Sequence, residues 1–144
     1  MTEVSFHFNA PDKLAYACRL LRKAATRGSR VAVTGGDVLR QQLDRDLWTF
    51  SATEFVPHCS DTSASRMLAV SPVIFCESAS AAPHQEVLLN LGPRVAEGFE
   101  RFERLIEVVG NDPADREESR VRWKYYRDRG YAIVRHDFAE RGSN

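Results

Sequence analysis

RVAVTGGDVL, residues 30–39, gives the clearest indication of the fold class. Its first half is a β-branched run typical of a short strand, and Gly35-Gly36 then provides a tight turn. Asp37 follows in the position of a helix N-cap. The helix that it begins has apolar residues on its inner side, at Val38, Leu39, Leu43 and Leu47. A strand that turns directly into a helix is the repeating unit of parallel α/β proteins.

The segment before this stretch supplies another strand and another helix. Val4, Phe6 and Phe8 alternate with polar residues, which predicts an opening strand. Residues 12–27 have apolar side chains at spacings of three and four, which predicts an amphipathic helix that Gly28 ends. Strand, helix, strand, turn and helix in this order predict a parallel α/β fold.

The remainder of the chain contains four further apolar runs and one more helix. The predicted strands are 73–75, 87–89, 105–109 and 131–136, and the predicted helix is 113–129. Residues 49–72 are rich in turn-forming side chains, which predicts a long loop. We therefore expect one domain over residues 1–140, followed by a polar tail at 141–144.

The composition is that of a globular protein. The chain has 144 residues, 43% of them hydrophobic, and its 20 Lys and Arg side chains balance 20 Asp and Glu side chains. Disordered, collagen-like and disulfide-scaffold classes are thereby excluded. The neutral total argues against attraction of the whole surface to DNA, although it is compatible with a local basic patch. The opening residues do not resemble a secretory signal and no apolar run reaches the length of a membrane span, so we expect a cytoplasmic protein without membrane contact.

Neither a metal site nor a catalytic centre is predicted. Cys18, Cys59 and Cys76 are scattered without a C-x-x-C pair, which predicts free thiols, and the histidines lack metal-ligand spacing. The Gly35-Gly36 turn gives the alternative function, a small α/β enzyme or nucleotide-binding protein, since such turns cradle phosphate. It lacks the third glycine of the dinucleotide-binding pattern, and Asp37 has a negative charge where a phosphate would lie. No cofactor is expected.

The last predicted helix is the segment most informative about function. Residues 99–118 contain seven acidic and three basic side chains, whereas residues 119–130 contain five basic and one acidic. An arc about 100° wide on this helix holds a basic stripe, which consists of Arg116, Arg120, Trp123, Lys124 and Arg127. Ala114, Val121 and Tyr125 lie opposite and are predicted to face the core. The stripe suits an acidic peptide with an apolar end or nucleic-acid phosphate, and a solvated basic face also explains it.

A second candidate surface is marked by aromatic side chains. Trp48, Phe50 and Phe55 occupy a turn-rich segment, where they do not alternate like the residues of a buried strand. Exposed aromatic side chains of this kind often belong to protein-binding surfaces. A loop folded onto the core explains them equally well.

The sequence resembles the chi subunit of the bacterial DNA polymerase III holoenzyme, an accessory protein of the clamp loader. The resemblance rests on Leu43-Asp44 leading to Leu47-Trp48, on Phe55-Val56-Pro57-His58, and on Arg122-Trp123-Lys124 followed by Tyr126-Arg127 and Gly130-Tyr131. It extends over nearly the whole chain, and the segments 59–72 and 110–119 align poorly.

This resemblance implies a fold, a function and two binding surfaces. The implied fold is a single Rossmann-like α/β domain with a mostly parallel or mixed sheet flanked by helices. The implied function is that of a non-catalytic adaptor for the acidic, Phe-terminated tail of the single-stranded DNA-binding protein. The residues matched to its tail site are Arg116, Arg120, Trp123 and Lys124. The psi subunit, which connects chi to the clamp loader, is expected to bind Trp48 and Phe55, and nucleic acid is contacted only indirectly.

Overall fold

The computed structural model describes residues 1–49, 57–60, 63, 67 and 71–137. Within them the strands are β1 (Glu3–Ala10), β2 (Val31–Thr34), β3 (His58–Ser60), β4 (Val73–Cys76), β5 (Val87–Asn90), β6 (Arg104–Gly110) and β7 (Ile133–Asp137). The α-helices are α1 (Lys13–Thr26), α2 (Asp37–Thr49) and α3 (Pro113–Asp128), and short 3-10 helices lie at Ala79–Ala81 and Phe99–Arg101. The boundary expected at residue 140 falls outside the described residues and stays a prediction.

The seven described strands form one sheet in the order β3-β4-β2-β5-β6-β1-β7. Every neighbouring pair is parallel, which confirms the predicted α/β class. Strand β2 lies inside the sheet between β4 and β5, and all four of its residues are buried. The glycine turn at residues 35 and 36 therefore leads from the interior of the sheet to α2.

Helices cover both faces of this sheet. Helices α1 and α2 pack on one face, where Leu21 and Leu43 belong to one hydrophobic cluster. Helix α3 packs on the other face, where Tyr126 joins Phe6 and Leu105 in a second cluster. The site described below lies on the α3 face.

Side-chain caps fix the starts of two helices. Asp12 accepts a hydrogen bond from the Ala15 amide at 3.1 Å before α1. Asp112 accepts one from the Asp115 amide at 3.2 Å before α3, and Pro113 is the first residue of that helix. Because such signals are local, the predicted ends of both helices agree with the structure to within one residue.

Strand β3 lies within the segment that the sequence predicts as a loop. It pairs with β4 at the edge of the sheet, with His58 in register with Val73. His58 is buried, and its Nε2 lies 2.7 Å from Asp44 Oδ1 on α2. A strand of three residues is too short to show alternation, and its pairing partner is distant in the sequence. Sequence reasoning therefore missed this strand.

The cysteines are free thiols, as predicted. Cys18 and Cys76 are buried, and Cys59 is half-buried. Burial raises the pKa of the Cys18 thiol to about 11, which keeps it protonated and unreactive. In the part of the chain that the structure describes, no helix has the length and apolar character needed to cross a membrane.

Candidate functional site

A buried polar network anchors α3 to the sheet. Glu107 on β6 and Arg122 on α3 are 0% and 1% exposed, and Arg122 Nε donates to Glu107 Oε1 at 3.1 Å. The Tyr126 hydroxyl donates to Glu107 Oε2 at 2.6 Å, and the Asn90 amide donates to both carboxylate oxygens at 3.3 and 3.2 Å. Arg122 also donates from Nη1 to the Pro93 carbonyl at 2.8 Å. Together these bonds fix the rotation of α3 about its own axis.

The pKa values of Glu107 and Tyr126 are shifted because both side chains are buried. Burial raises the pKa of Glu107, while the Arg122 guanidinium opposes that shift. Burial and the adjacent Glu107 carboxylate also raise the pKa of Tyr126, so its hydroxyl stays protonated and keeps donating. The network is therefore structural, because its charges satisfy each other inside the protein.

The rotation of α3 differs from the sequence prediction. The buried residues of α3 are Ser119, Arg122 and Tyr126. The predicted core face of Ala114, Val121 and Tyr125 is wrong, since Ala114 is exposed, Val121 is 69% exposed and Tyr125 is only half-buried. A prediction from apolar periodicity places every arginine on the solvent-exposed side of a helix. Here the Glu107 carboxylate compensates the guanidinium charge and allows it to be buried.

A groove of about 310 Å³ runs between α3 and the carboxyl-terminal ends of β1 and β7. We call it the α3 groove. Its lining consists of Phe8, Asn9, Val109, Arg116, Ser119, Arg120, Arg135 and Asp137. Arg116 and Arg120 come from the predicted basic stripe, and Arg135 adds a third guanidinium. Among the described residues of this lining, Asp137 is the single carboxylate.

Hydrogen bonds within the α3 groove leave its cations available to a ligand. Arg116 Nη2 donates to Asn9 Oδ1 at 2.8 Å, and Asn9 Nδ2 donates to Asp137 Oδ1 at 2.8 Å. The Asn9 side-chain amide thus lies between the Arg116 guanidinium and the Asp137 carboxylate. Arg120 pairs with Glu117 at 3.2 Å, but these side chains are 77% and 73% exposed. An ion pair so exposed is weak, so Arg120 can turn to a ligand at little cost.

Trp123 packs inward, and its expected position on the outer face is wrong. Its ring centroid lies 5.0 Å from that of Phe6 and 5.7 Å from that of Phe8, and the residue is half-buried. The Arg135 guanidinium lies 5.5 Å from the Phe8 ring centroid and 5.9 Å from that of Trp123. The α3 groove therefore combines cations with an aromatic group that the sheet holds in place.

Lys124 and Arg127 lie apart from the α3 groove. Both are exposed on α3, and neither belongs to the groove lining. Arg127 Nη2 donates to Asp128 Oδ1 at 3.4 Å. Of the predicted stripe, Arg116 and Arg120 line the α3 groove. Trp123 lies beside it, with its ring packed against that of Phe8.

Sequence reasoning missed the strand residues of the site. Phe8 and Arg135 come from the first and last described strands, which pair in parallel with Phe6 opposite Arg135 and Phe8 opposite Asp137. The sequence predicts both strands, the opening one from the alternation of Val4, Phe6 and Phe8 and the closing one from an apolar run. Their adjacency in the sheet is set by the topology and cannot be found from the pattern of either strand alone.

The second candidate surface falls largely outside the described residues. Trp48 belongs to α2, but its side chain is not among the described ones, and Phe50 and Phe55 also lie outside them. The proposed role of Trp48 and Phe55 therefore stays a prediction.

The glycine turn borders a crevice at the carboxyl ends of β2 and β5. Gly35 and Gly36 line it together with the side chains of Glu77, Arg94 and Glu97. Two carboxylates against one guanidinium would repel a phosphate group. The crevice gives no support to the alternative of a nucleotide-binding protein.

Two comparisons place nearly the whole chain among known proteins. Residues 1–134 match the family model described as DNA polymerase III chi subunit, HolC. The chain belongs to this chi family. A relative named DNA polymerase III subunit chi, from Pseudomonas aeruginosa, is 31% identical over 141 residues, which cover 94% of this chain and 96% of the relative. Membership of the chi family confirms the resemblance and assigns an accessory role in DNA replication.

Proposed function

We propose that this protein is a non-catalytic replication adaptor whose α3 groove binds the acidic, Phe-terminated tail of the single-stranded DNA-binding protein. A second surface, which includes Trp48 and Phe55, binds a psi-like partner that connects the adaptor to the clamp loader. The observation that carries the proposal is that three guanidinium groups and the Phe8 ring line one groove, with the Trp123 ring packed beside Phe8.

The chemistry of the α3 groove suits such a tail. Carboxylates of the peptide pair with Arg116, Arg120 and Arg135, and charge-assisted bonds of this kind are among the strongest available to a short peptide. The terminal Phe ring packs against Phe8 and the edge of Trp123, where an aromatic cluster already exists. Lys124 and Arg127, on the exposed face of α3, attract the acidic peptide over a longer distance, and salt screens this attraction.

The expected affinity is moderate. A short peptide buries little surface, so we expect dissociation constants around micromolar, or about −8 kcal/mol. Rising salt weakens the binding, because part of the attraction acts between exposed charges. Removal of the terminal Phe weakens it at every salt concentration, because the contact of the ring is apolar.

Titration calorimetry with an acidic peptide that ends in Phe tests this proposal. Arg120→Ala removes a charge-assisted contact worth about 1.5–3 kcal/mol, so we expect the affinity to fall about tenfold or more. Arg94→Ala is the matched control, since Arg94 is equally a surface arginine but lies at the glycine crevice. Equal affinities for the wild type and a folded Arg120→Ala variant would refute the site.

A further inference from the structure

A second basic groove lies on the opposite face of the sheet from α3. We call it the α1 groove. Its floor crosses five adjacent strands, β2, β5, β6, β1 and β7, and its wall is the side of α1 from Tyr16 to Ala24. The charged and aromatic side chains of its lining are His7, Tyr16, Lys23, Arg27, Arg104 and His136. Among its described lining residues there is no carboxylate.

The charge of the α1 groove originates in one segment of the sequence. Residues 13–30 contain six lysines and arginines and no aspartate or glutamate, although the whole chain is neutral. Arg19, Lys23 and Arg27 are exposed, and within the described part of the chain none of them has a salt-bridge partner. Unpaired cations concentrated on one helix create a local positive potential that the net charge conceals.

The cations form a continuous row rather than a single point. A neighbouring depression along α1 is lined by Arg19, Arg22, Lys23, Thr26 and Arg27. It shares Lys23 and Arg27 with the α1 groove, so the positive surface continues from the exposed side of α1 down to Arg104 on β6. From Arg19 to Arg27 the helix alone spans roughly 12 Å at 1.5 Å per residue. A row of this kind matches a ligand with regularly repeated negative charges.

Aromatic rings line the same groove. The ring centroids of His7 and His136 lie 4.5 Å apart, and that of Tyr16 lies 5.5 Å from His7. The Tyr16 hydroxyl contacts His7 Nδ1. Grooves that join a basic track to aromatic side chains are typical of proteins that bind single-stranded nucleic acid, where bases pack on the rings.

We infer that the α1 groove binds the backbone of single-stranded nucleic acid directly, in contrast to the solely indirect contact that the family resemblance implies. Phosphates pair with Arg19, Lys23, Arg27 and Arg104, and unstacked bases lie against the rings on the floor. A nucleic-acid strand presents one negative charge per nucleotide, so its repeated phosphates match the extended row of cations, while its bases match the rings. This inference does not depend on the tail site, because the two grooves lie on opposite faces of the sheet and can be occupied together.

Fluorescence anisotropy with a labelled oligothymidylate of about 20 nucleotides tests the inference. The full chain should bind it at low salt, with an affinity that falls as salt rises. The double variant Lys23→Glu, Arg27→Glu should weaken binding tenfold or more. Because each phosphate contact on a single strand contributes about −0.7 to the slope of log K against log salt, the slope should become shallower by about 1.4. Circular dichroism and melting confirm that this variant, whose changes are at exposed positions, is folded.

The double variant Lys124→Glu, Arg127→Glu is the matched control. It changes the net charge by the same amount on α3 and should leave oligonucleotide binding nearly unchanged. Equal weakening in both variants, or no binding by the wild type, would overturn the inference. A larger loss in the α3 variant would identify α3 as the phosphate surface and overturn it as well.

Two further measurements separate the ligands and the grooves. In photo-crosslinking, an oligonucleotide with halogenated bases should become attached to His7, Tyr16 or His136. Crosslinks at other residues and at none of these three would contradict the inference. Displacement of the oligonucleotide by the acidic Phe-ended peptide would show that the α1 groove is a peptide site instead. Titration of the same variants with that peptide reports on the α3 groove separately, so either proposal can fail alone.

Discussion

At the scale of single residues, the polar side chains of α3 divide into those buried in the polar network and those that line the α3 groove. Arg122 and Tyr126 belong to the resemblance, yet both are buried on Glu107 and orient α3. Arg116 and Arg120 lie in the α3 groove. The sequence predicts all of these as polar residues of one helix. The sequence does not show which of them are buried. The charge of Arg122 is compensated by the Glu107 carboxylate on β6, which lies close to it only in the folded protein.

Removal of Arg122 tests this structural role. Arg122→Leu leaves the Glu107 carboxylate buried without its cation, so we expect a loss of about 3–5 kcal/mol in the free energy of unfolding. Urea denaturation measures it. The double variant Arg122→Leu, Glu107→Leu should recover part of the loss, because no isolated charge then remains. A single variant as stable as the wild type would contradict the structural role.

His84 should make the protein sensitive to acid. It is 5% exposed, and within the described part of the chain its Nε2 has no hydrogen-bond partner. Burial, together with the nearby Arg30, lowers the pKa of His84 below its ordinary value of 6.5, against the opposing effect of Glu86. The unfolded chain therefore takes up a proton at a higher pH than the folded protein does. The free energy of unfolding falls as the pH drops below about 6.5.

Denaturation at pH 7.5 and pH 5.5 checks this prediction with His84→Asn as the comparison. The variant keeps a side-chain acceptor that can serve the Glu86 amide, which donates to His84 Nδ1 at 3.2 Å. It should lose less stability on acidification than the wild type. The same pH dependence in both proteins would be inconsistent with a neutral, buried His84.

At the scale of elements, periodicity and caps predict most of the structure. The strand and the helix around Gly35-Gly36 lie where the sequence predicts them, because each has a local signal in the sequence. Leu43 and Leu47 are buried as predicted, but the prediction that Val38 lies on the inner side of α2 is wrong, since it is 76% exposed. Strand β3 and the rotation of α3 do not agree, since both are set by partners distant in the sequence. The same reason explains why Phe8 and Arg135 were missed. The site combines one helix, which the sequence predicts, with two strands that only the topology makes neighbours.

Polar substitutions test the second surface. If Trp48 and Phe55 bind a psi-like partner, Trp48→Ser and Phe55→Ser should leave the fold and tail binding intact. Each should abolish co-purification with a psi-family subunit. Truncation of a buried aromatic side chain typically costs about 3–5 kcal/mol, so a collapsed melting temperature would identify these residues as core instead. Retained co-purification in folded variants would also contradict the proposed surface.

At the scale of the whole molecule, a wholly parallel sheet presents two basic grooves on opposite faces. The α3 groove combines guanidinium groups with aromatic rings, and the α1 groove has a row of cations above a floor of five strands. Because the sheet separates them, a ligand in one groove makes no contact with a ligand in the other. We propose that an adaptor with this design binds a protein tail on one side and the strand coated by that protein on the other.

An NMR titration of the isotope-labelled protein with the acidic, Phe-ended peptide tests directly whether the α3 groove binds the tail. Amide shifts map the bound surface residue by residue, and Trp123→Tyr assigns the indole signal of Trp123. We expect saturable shifts at Phe8, Arg120 and Arg135 and at the Trp123 indole, with residues of the α1 groove unchanged. Shifts confined to the α1 groove, or none at saturating peptide, would refute binding of the tail in the α3 groove.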